Sequence, residues 1–369
     1  MKIDWPFFAI KPSIMISSLC YSIFRIEPYT SCTYGCIFCY ARWYRKPLPL
    51  TSPQILEAWK RLANSLRNAD LPPPFFRLST LTEPFQEQLE ARHHTSLNIM
   101  RIAHEHEVPL IVNTKSDLIG KSPWIDELLR LADKDLVLVQ VSLTATDPEI
   151  SKALEPNAPM PERRLELIEY LKGHDVPVIA RLQPLIPGIE RPQLEAARKA
   201  LDHGSLGIIV EPLRETRDGL IKVAKALRKD PEEYLIEFKW EPYVPSSSDS
   251  ELLRPNLEWR REIFRELHAV VSRYGRIMTI CKDGLWLNLS SHDADCCQSQ
   301  YIKAPHSIRE TLYERLVRSR ESLPNIHVLH EEHFMRYPRI IRRALKLHHN
   351  KLRKILGKKD LLNELVHYA

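Results

Sequence analysis

Glycine is scarce, ten residues in 369. No G-x-G-x-x-G and no G-x4-G-K-[ST] run occurs, so neither a dinucleotide-binding fold nor a P-loop has local support. No apolar stretch reaches the roughly eighteen residues that cross a bilayer as a helix. Met1-Lys2-Ile3-Asp4-Trp5-Pro6 also lacks the basic-then-apolar layout of a signal peptide. Paired cysteines are missing too. The seven form an odd set, clustered at 32/36/39 and 281/296/297 with Cys20 alone, which fits metal binding in a reducing compartment better than a disulfide framework. The expectation is a soluble cytoplasmic protein with no membrane partner. Acid is locally absent as well: Arg336 to Lys359 holds ten Lys/Arg and no Asp or Glu. Since the net charge is only +6, the rest of the chain is slightly acidic and the basicity belongs to the tail.

With 44% hydrophobic residues, a chain of this length buries a sizeable core and reads as one large domain plus an extension. Its most informative stretch is Cys32-Thr33-Tyr34-Gly35-Cys36-Ile37-Phe38-Cys39. Three thiolates this close wrap one face of a metal centre, one ligand short of a closed zinc shell. The spacing favours a 4Fe-4S cluster with one iron left open. Two plainer readings stand beside it: a zinc site with a distant fourth ligand, and three buried cysteines that are merely neighbours.

Strand-like runs recur along the chain. Cys20 to Ile26 is β-branched and aromatic, at the end of an arm with little helical periodicity, and it delivers the cysteine loop at its C-terminal end. Phe75 to Thr80, Val108 to Asn113, Asp135 to Thr144, Val176 to Gly188 with its loop, and Gly207 to Arg214 follow, separated by helical patterns such as Gln54 to Leu62 and Leu97 to Glu107. Asp135 to Thr144 is apolar enough for burial on both faces, as parallel sheets require. Six strands alternating with helices predict an α/β fold, a partial (β/α)6 TIM-type barrel open on one side. Residues 1–24 form the N-terminal arm, 25–245 the barrel and 246–369 a mostly α-helical extension. Tyr234 to Trp240 is expected as a further strand or edge, and Pro47, Pro49 and Pro53 mark a linker.

The C-x3-C-x-aromatic-C spacing of Cys32, Cys36, Phe38 and Cys39 is the signature carried by radical S-adenosylmethionine (radical SAM) enzymes. A wider set of residues resembles the spore photoproduct lyase-like members: Lys11-Pro12-Ser13 through Tyr40-Ala41-Arg42, Thr82-Glu83-Pro84-Phe85-Gln86, Glu90, Thr114-Lys115-Ser116, and Leu154-Glu155-Pro156-Asn157-Ala158-Pro159 with Arg163-Arg164-Leu165. The resemblance covers roughly residues 11 to 215. It implies an enzyme in which Cys32, Cys36 and Cys39 hold a 4Fe-4S cluster and SAM binds the open iron. Reductive cleavage to a 5'-deoxyadenosyl radical, with hydrogen abstraction from substrate, is then the implied chemistry. A flavodoxin or ferredoxin would supply the electron. It further implies that the backbone around Phe38 packs near adenine, that Lys115 clamps the SAM carboxylate and that Ser142 bonds its amino or ribose groups. Glu155 and Arg164 are expected to pair and shape the loop above the site. Arg181 is expected to reach cofactor or substrate, or to form a barrel-end salt bridge.

The chain also departs from that family. Glu27 stands where asparagine is expected, and Ser31 where glycine is. True spore photoproduct lyases carry a hydrogen-donating cysteine just before the T-D-P-like element, where this chain has Ser79-Thr80-Leu81. Lyase action on the spore photoproduct itself is thus set aside unless a C-terminal cysteine takes the role. Modification of RNA or protein by the same chemistry, and a non-catalytic zinc-stabilised nucleic-acid-binding protein, are the competing readings.

Cys281, Cys296 and Cys297 admit three roles: a second metal centre with His292 or substrate as a further ligand, a thiol hydrogen donor, or inert burial. Asp293 flanks the same stretch. Ile308 to Ala369 reads as helical and basic. Its positive charges make nucleic acid a candidate partner, bound with strong salt dependence, against the plainer reading of a solvated helix face.

Overall fold

The computed structural model describes residues 7–43, 52–244, 251–285, 294–316 and 324–366. Pro47 and Pro49 of the expected linker, and His292 and Asp293, lie outside them. Six apolar runs become strands: β1 (Arg25–Ile26), β2 (Phe76–Leu78), β3 (Leu110–Thr114), β4 (Val137–Ser142), β5 (Val178–Leu185) and β6 (Gly207–Pro212). They pair in chain order, every pair parallel, so all six C-terminal ends open on one side. β3, β4 and β6 are buried almost throughout, the pattern of a sheet covered on both faces. This is the partial TIM-type barrel the alternation predicts.

The extension adds to that sheet. β7 (Ile277–Ile280) runs parallel beside β6 and brings the order to seven strands. Close approach at this seam requires Gly207. A Cβ there would lie 2.1 Å from Gln298 Oε1 and 2.8 Å from the Ile277 carbonyl. Gln298 itself donates to the Ile208 carbonyl at 2.9 Å and to Thr279 Oγ1 at 3.1 Å, so the turn that carries Cys296 and Cys297 is laced to β6 and β7. Asp295 fixes that turn by accepting from the amides of Cys297 and Ser299.

Helices cover the outer face. In the Ser52–Arg67 helix, Trp59 is fully buried against Phe76, ring centroids 4.9 Å apart, and its Nε1 donates to the Ile99 carbonyl. The indole contributes a large apolar surface and still satisfies its one donor. No helix among the described residues is long and apolar enough to cross a membrane.

Three local expectations are corrected. The N-terminal arm contains a helix, Ile14–Leu19, capped by Ser13 Oγ on the Ile16 amide, too short to show periodicity. Tyr234 to Trp240 is not a strand, because Pro231–Glu237 is a helix. Asp230 caps it by accepting from the Glu232 and Glu233 amides, and Pro231 occupies a first-turn position where no N–H is needed. Asp230→Ala is expected to cost about 1 kcal/mol in denaturant unfolding. An unchanged midpoint would show that tertiary packing alone holds this helix. Finally, the tail is not helical from Ile308. His306–Arg309 and Ile326–Leu329 pair as parallel strands, and Ser307 N bonds the Pro73 carbonyl. Helices then run Arg339–Leu356 and Lys359–Leu365. The first buries Ile341, Ala344, Leu345, Leu352 and Ile355 and exposes Arg339, Arg343, Lys346, Arg353 and Lys354.

Candidate functional site

One cavity lies at the strand ends, and the residues that follow β1 to β6 line it. β1 delivers the cysteine loop, β2 Ser79 and Thr80, β3 Thr114 and Lys115, β4 Ser142, β5 Gln183 and Pro184, and β6 Pro212, Leu213 and Arg214. Cys32, Cys36 and Cys39 all sit in its wall, none in a disulfide, together with Phe38, Lys115 and Ser142. These six residues thus line a single cavity.

Polar clamps hold the cysteine loop from both sides. Gln86 accepts from the Thr33 amide at 2.8 Å and donates to the Ser31 carbonyl at 2.9 Å, spanning the entry to Cys32. From the other side, Asn157 Nδ2 donates to the Thr33 carbonyl, and the Ile37 amide bonds the Leu154 carbonyl. Gly35 has φ +65°, which a side chain rarely adopts, and this turn folds the loop back between the two clamps. Arg42 donates to the Ile37 carbonyl at 2.6 Å and pairs with buried Glu215.

Glu27 turns out to be an organiser. Its carboxylate accepts from Ser79 Oγ, the Thr80 amide and hydroxyl, and the Leu81 amide. The segment Ser79-Thr80-Leu81 is thereby fixed, with Ser79 held at φ +62°. Glu83 does the same for the next strand: it accepts from Thr114 Oγ1 at 2.5 Å and the Lys115 amide at 2.8 Å. Burial pushes the Glu83 carboxyl above its ordinary range against these bonds.

Lys115 Nζ lies 2.5 Å from Glu155 Oε1, 3.5 Å from Cys36 Sγ and 4.9 Å from the Phe38 ring centroid. Burial opposes its charge, yet Cys36 and Glu155 hold the ammonium above the usual lysine range. Glu155 also accepts from Thr144 Oγ1 and pairs with Arg164 at 2.6 Å, both partners being fully buried. Burial raises its carboxyl, but Arg164 and then Lys115 outweigh this and hold it at about 2. Burial pushes the Cys36 thiol up to about 11 despite Lys115, and raises Cys32 as well. Ser142 ends β4; its carbonyl accepts from Arg164, and its hydroxyl has no hydrogen-bond partner among the described residues.

Beneath the loop, the barrel interior carries a polar floor that the sequence reading missed except at Arg181. Arg77 Nε donates to Asn113 Oδ1 at 2.8 Å, Asn113 Nδ2 to Gln140 Oε1 at 2.8 Å, and Arg181 Nη1 to Gln140 Oε1 at 2.5 Å. Gln140 in turn donates to the Cys297 carbonyl. The available signal was one polar residue inside each of four apolar strands. Arg181 forms no salt bridge among the described residues; its second contact is the Gln183 side-chain oxygen. Glu90 is elsewhere: it is fully buried, bonded by Trp124 and Tyr29, and accepts from the Ser96 amide at the start of the Thr95–His106 helix.

Cys281, Cys296 and Cys297 gather under this floor, with the Cys296 and Cys297 sulfurs 4.0 Å apart. The Cys296 contact lowers the Cys281 thiol to about 6 against its burial, whereas burial raises Cys20 to about 12. Among the described residues no three His, Cys, Asp or Glu side chains converge on a point that one metal ion could occupy. Ligands of an iron–sulfur cluster bind different irons and need no common point, so the 32/36/39 set still fits one.

Residues 26–201 match the sequence model of the Radical SAM superfamily. Among solved structures, a cysteine-to-serine variant of spore photoproduct lyase superposes with TM-score 0.54 at 14% identity, over 70% of this chain and 76% of that one. Another variant, with bound AdoMet and dinucleoside spore photoproduct, gives 0.52 at 14% identity over the same shares. These likenesses concern the fold. An uncharacterized protein of Mycobacterium tuberculosis is 27% identical over 173 residues, 44% of this chain and 50% of that protein. One from Acidianus two-tailed virus is 27% identical over 177 residues, 42% and 54% respectively. The chain spans about half the length of the curated relatives it matches.

Proposed function

We propose, from the premise that this is an enzyme of the radical SAM type, that Cys32, Cys36 and Cys39 hold a 4Fe-4S cluster and that SAM binds in the strand-end cavity beside it. The observation that carries this reading is three cysteines in the wall of one cavity, on a loop clamped by Gln86 and Asn157. With cluster and SAM bound, the chemistry supplied is a 5'-deoxyadenosyl radical that takes a hydrogen atom from substrate. In this reading residues 25–245 are the catalytic barrel, 1–24 an arm, and 246–369 an extension that lends the barrel a strand.

The chain's own residues position the cofactors. An ammonium has three donors. Lys115 directs two at Glu155 and Cys36, and the third is assigned to the SAM carboxylate. Glu155 holds Lys115 in place and is itself held by Arg164 and Thr144. The Ser142 hydroxyl bonds the amino or ribose groups, and the backbone at Phe38 meets the adenine. A small electron-transfer protein such as a flavodoxin or ferredoxin reduces the cluster. Seven cysteines, none in a disulfide, support a cytoplasmic setting.

Nucleic acid is the favoured substrate class. The spore photoproduct lyase with the same fold carries a dinucleoside ligand, and the Arg339–Leu356 helix presents a basic outer face. Retention on a DNA column should fall steeply with salt, and retention indifferent to salt counts against phosphate contacts. The chemistry is tested by anaerobic reconstitution. The protein should bind about four irons and convert SAM to 5'-deoxyadenosine with dithionite. About eight irons would instead call for a second cluster at Cys281, Cys296 and Cys297. A colourless protein with stoichiometric zinc would remove the radical reading.

A further inference from the structure

The cavity floor carries more positive charge than its protein neighbours answer. Arg77 and Arg181 both line it, and neither makes an ion pair with a carboxylate among the described residues. Their partners are neutral amides: Asn113 for Arg77, Gln140 and Gln183 for Arg181. Arg77 uses only Nε, so both of its terminal nitrogens lack a hydrogen-bond partner among the described residues. Beside them, Arg214 and Lys282 share one acid, Glu211, at 2.7 and 2.8 Å. Arg77 and Arg181 thus lie beside an acid that already pairs with two other cations. The other acid in the lining, Glu83, is occupied by Thr114, the Lys115 amide and the Phe85 amide.

Burying a guanidinium without a counter-charge is costly. Arg181 is only 8% exposed, and its hydrogen-bond partners among the described residues are neutral amides. The floor is therefore built for an anionic occupant, and the planar forks of two arginines match the paired oxygens of a carboxylate or a phosphate. Tyr40 links this floor to the cysteine loop. It follows Cys39, lies under Arg214 at 4.4 Å and donates to the Thr80 carbonyl.

We infer that Arg77 and Arg181 form an oxyanion-binding subsite that seats a carboxylate or phosphate group of the substrate on the barrel floor, below the cofactor positions. This rests on the reading of the cavity as the reaction site. It narrows the substrate to one carrying such a group within the cavity, beyond any contact with the basic outer helix.

The test is equilibrium titration of the full chain with inorganic phosphate and, separately, malonate, at ionic strength held constant with chloride. One of the two should bind saturably at one site per chain, and the tighter one names the group. Arg77→Gln and Arg181→Gln should each weaken that binding by about tenfold or more. Arg77→Lys, which keeps the charge and loses the fork, should fall between. Arg339→Gln on the outer helix should leave it unchanged, and thermal melting confirms that each variant is folded. The inference fails if neither anion saturates, if the folded glutamine variants bind like the parent, or if S-adenosylhomocysteine displaces the anion, since the floor then belongs to the cofactor. Because this titration needs no iron, a failure of the cluster assignment shows separately, in iron content and 5'-deoxyadenosine.

Discussion

Cys36→Ala is expected to yield a colourless protein that binds almost no iron and forms no 5'-deoxyadenosine above background. Cys36 is the middle ligand of the proposed set and the one that touches Lys115, at 3.5 Å. Its thiol is raised by burial despite Lys115. Removing it should leave the fold nearly intact, because the loop is held through backbone contacts to Gln86, Asn157 and Leu154 that do not involve the sulfur. Loss of iron with a retained melting transition is thus the expected signature. Cys281→Ser, under the floor, should keep about four irons per chain. Should Cys36→Ala keep its iron and Cys281→Ser lose it, the cluster assignment belongs to the other cysteine group.

The two cysteine groups differed in how much the sequence could reveal. Cys32, Cys36 and Cys39 are legible because three cysteines fall within eight residues, and local spacing survives any tertiary arrangement. The strands were legible for a related reason: runs such as Leu136-Val137-Leu138-Val139 suit a parallel sheet covered on both faces. The floor was not. Arg77, Asn113, Gln140 and Arg181 each read as one polar residue in an apolar strand, and only strand register aligns them. Asn113 pairs directly with Gln140 across β3 and β4, and nothing local encodes that.

The errors have physical causes as well. Tyr234 to Trp240 is aromatic and apolar enough to read as a strand, but the local signal at Asp230-Pro231 specifies a helix start. The place of the Ile277–Ile280 strand beside β6 depends on a partner seventy residues earlier, at Gly207. Glu27 was visible only as a departure from the expected asparagine. In the structure its two oxygens accept four bonds from Ser79, Thr80 and Leu81, with both Thr80 bonds on Oε1, and an asparagine side chain has only one acceptor oxygen. The substitution therefore changes how the β2 end is held.

The second large effect is expected at Glu155. Its carboxylate is the common partner of Arg164 and Lys115, and Arg164 has no exposed surface at all. Glu155→Ala leaves both cations without that partner, and stranding a buried charge of this kind typically costs about 3–5 kcal/mol. Urea unfolding should show that loss. The pH dependence gives an independent check. The folded carboxyl sits at about 2, below its ordinary value of 4.5. Its contribution is therefore fully present above about pH 4.5 and is lost as pH falls through the folded value near 2. The parent protein should lose stability across that acid window more steeply than Glu155→Gln, which keeps the shape and cannot titrate. Parallel acid profiles for the two would show that Arg164 and Lys115 find other partners. Because Lys115 is aimed by this same carboxylate, the glutamine variant should also bind SAM more weakly while keeping its iron. That outcome separates the lysine's role toward the cofactor from the cluster's own assembly.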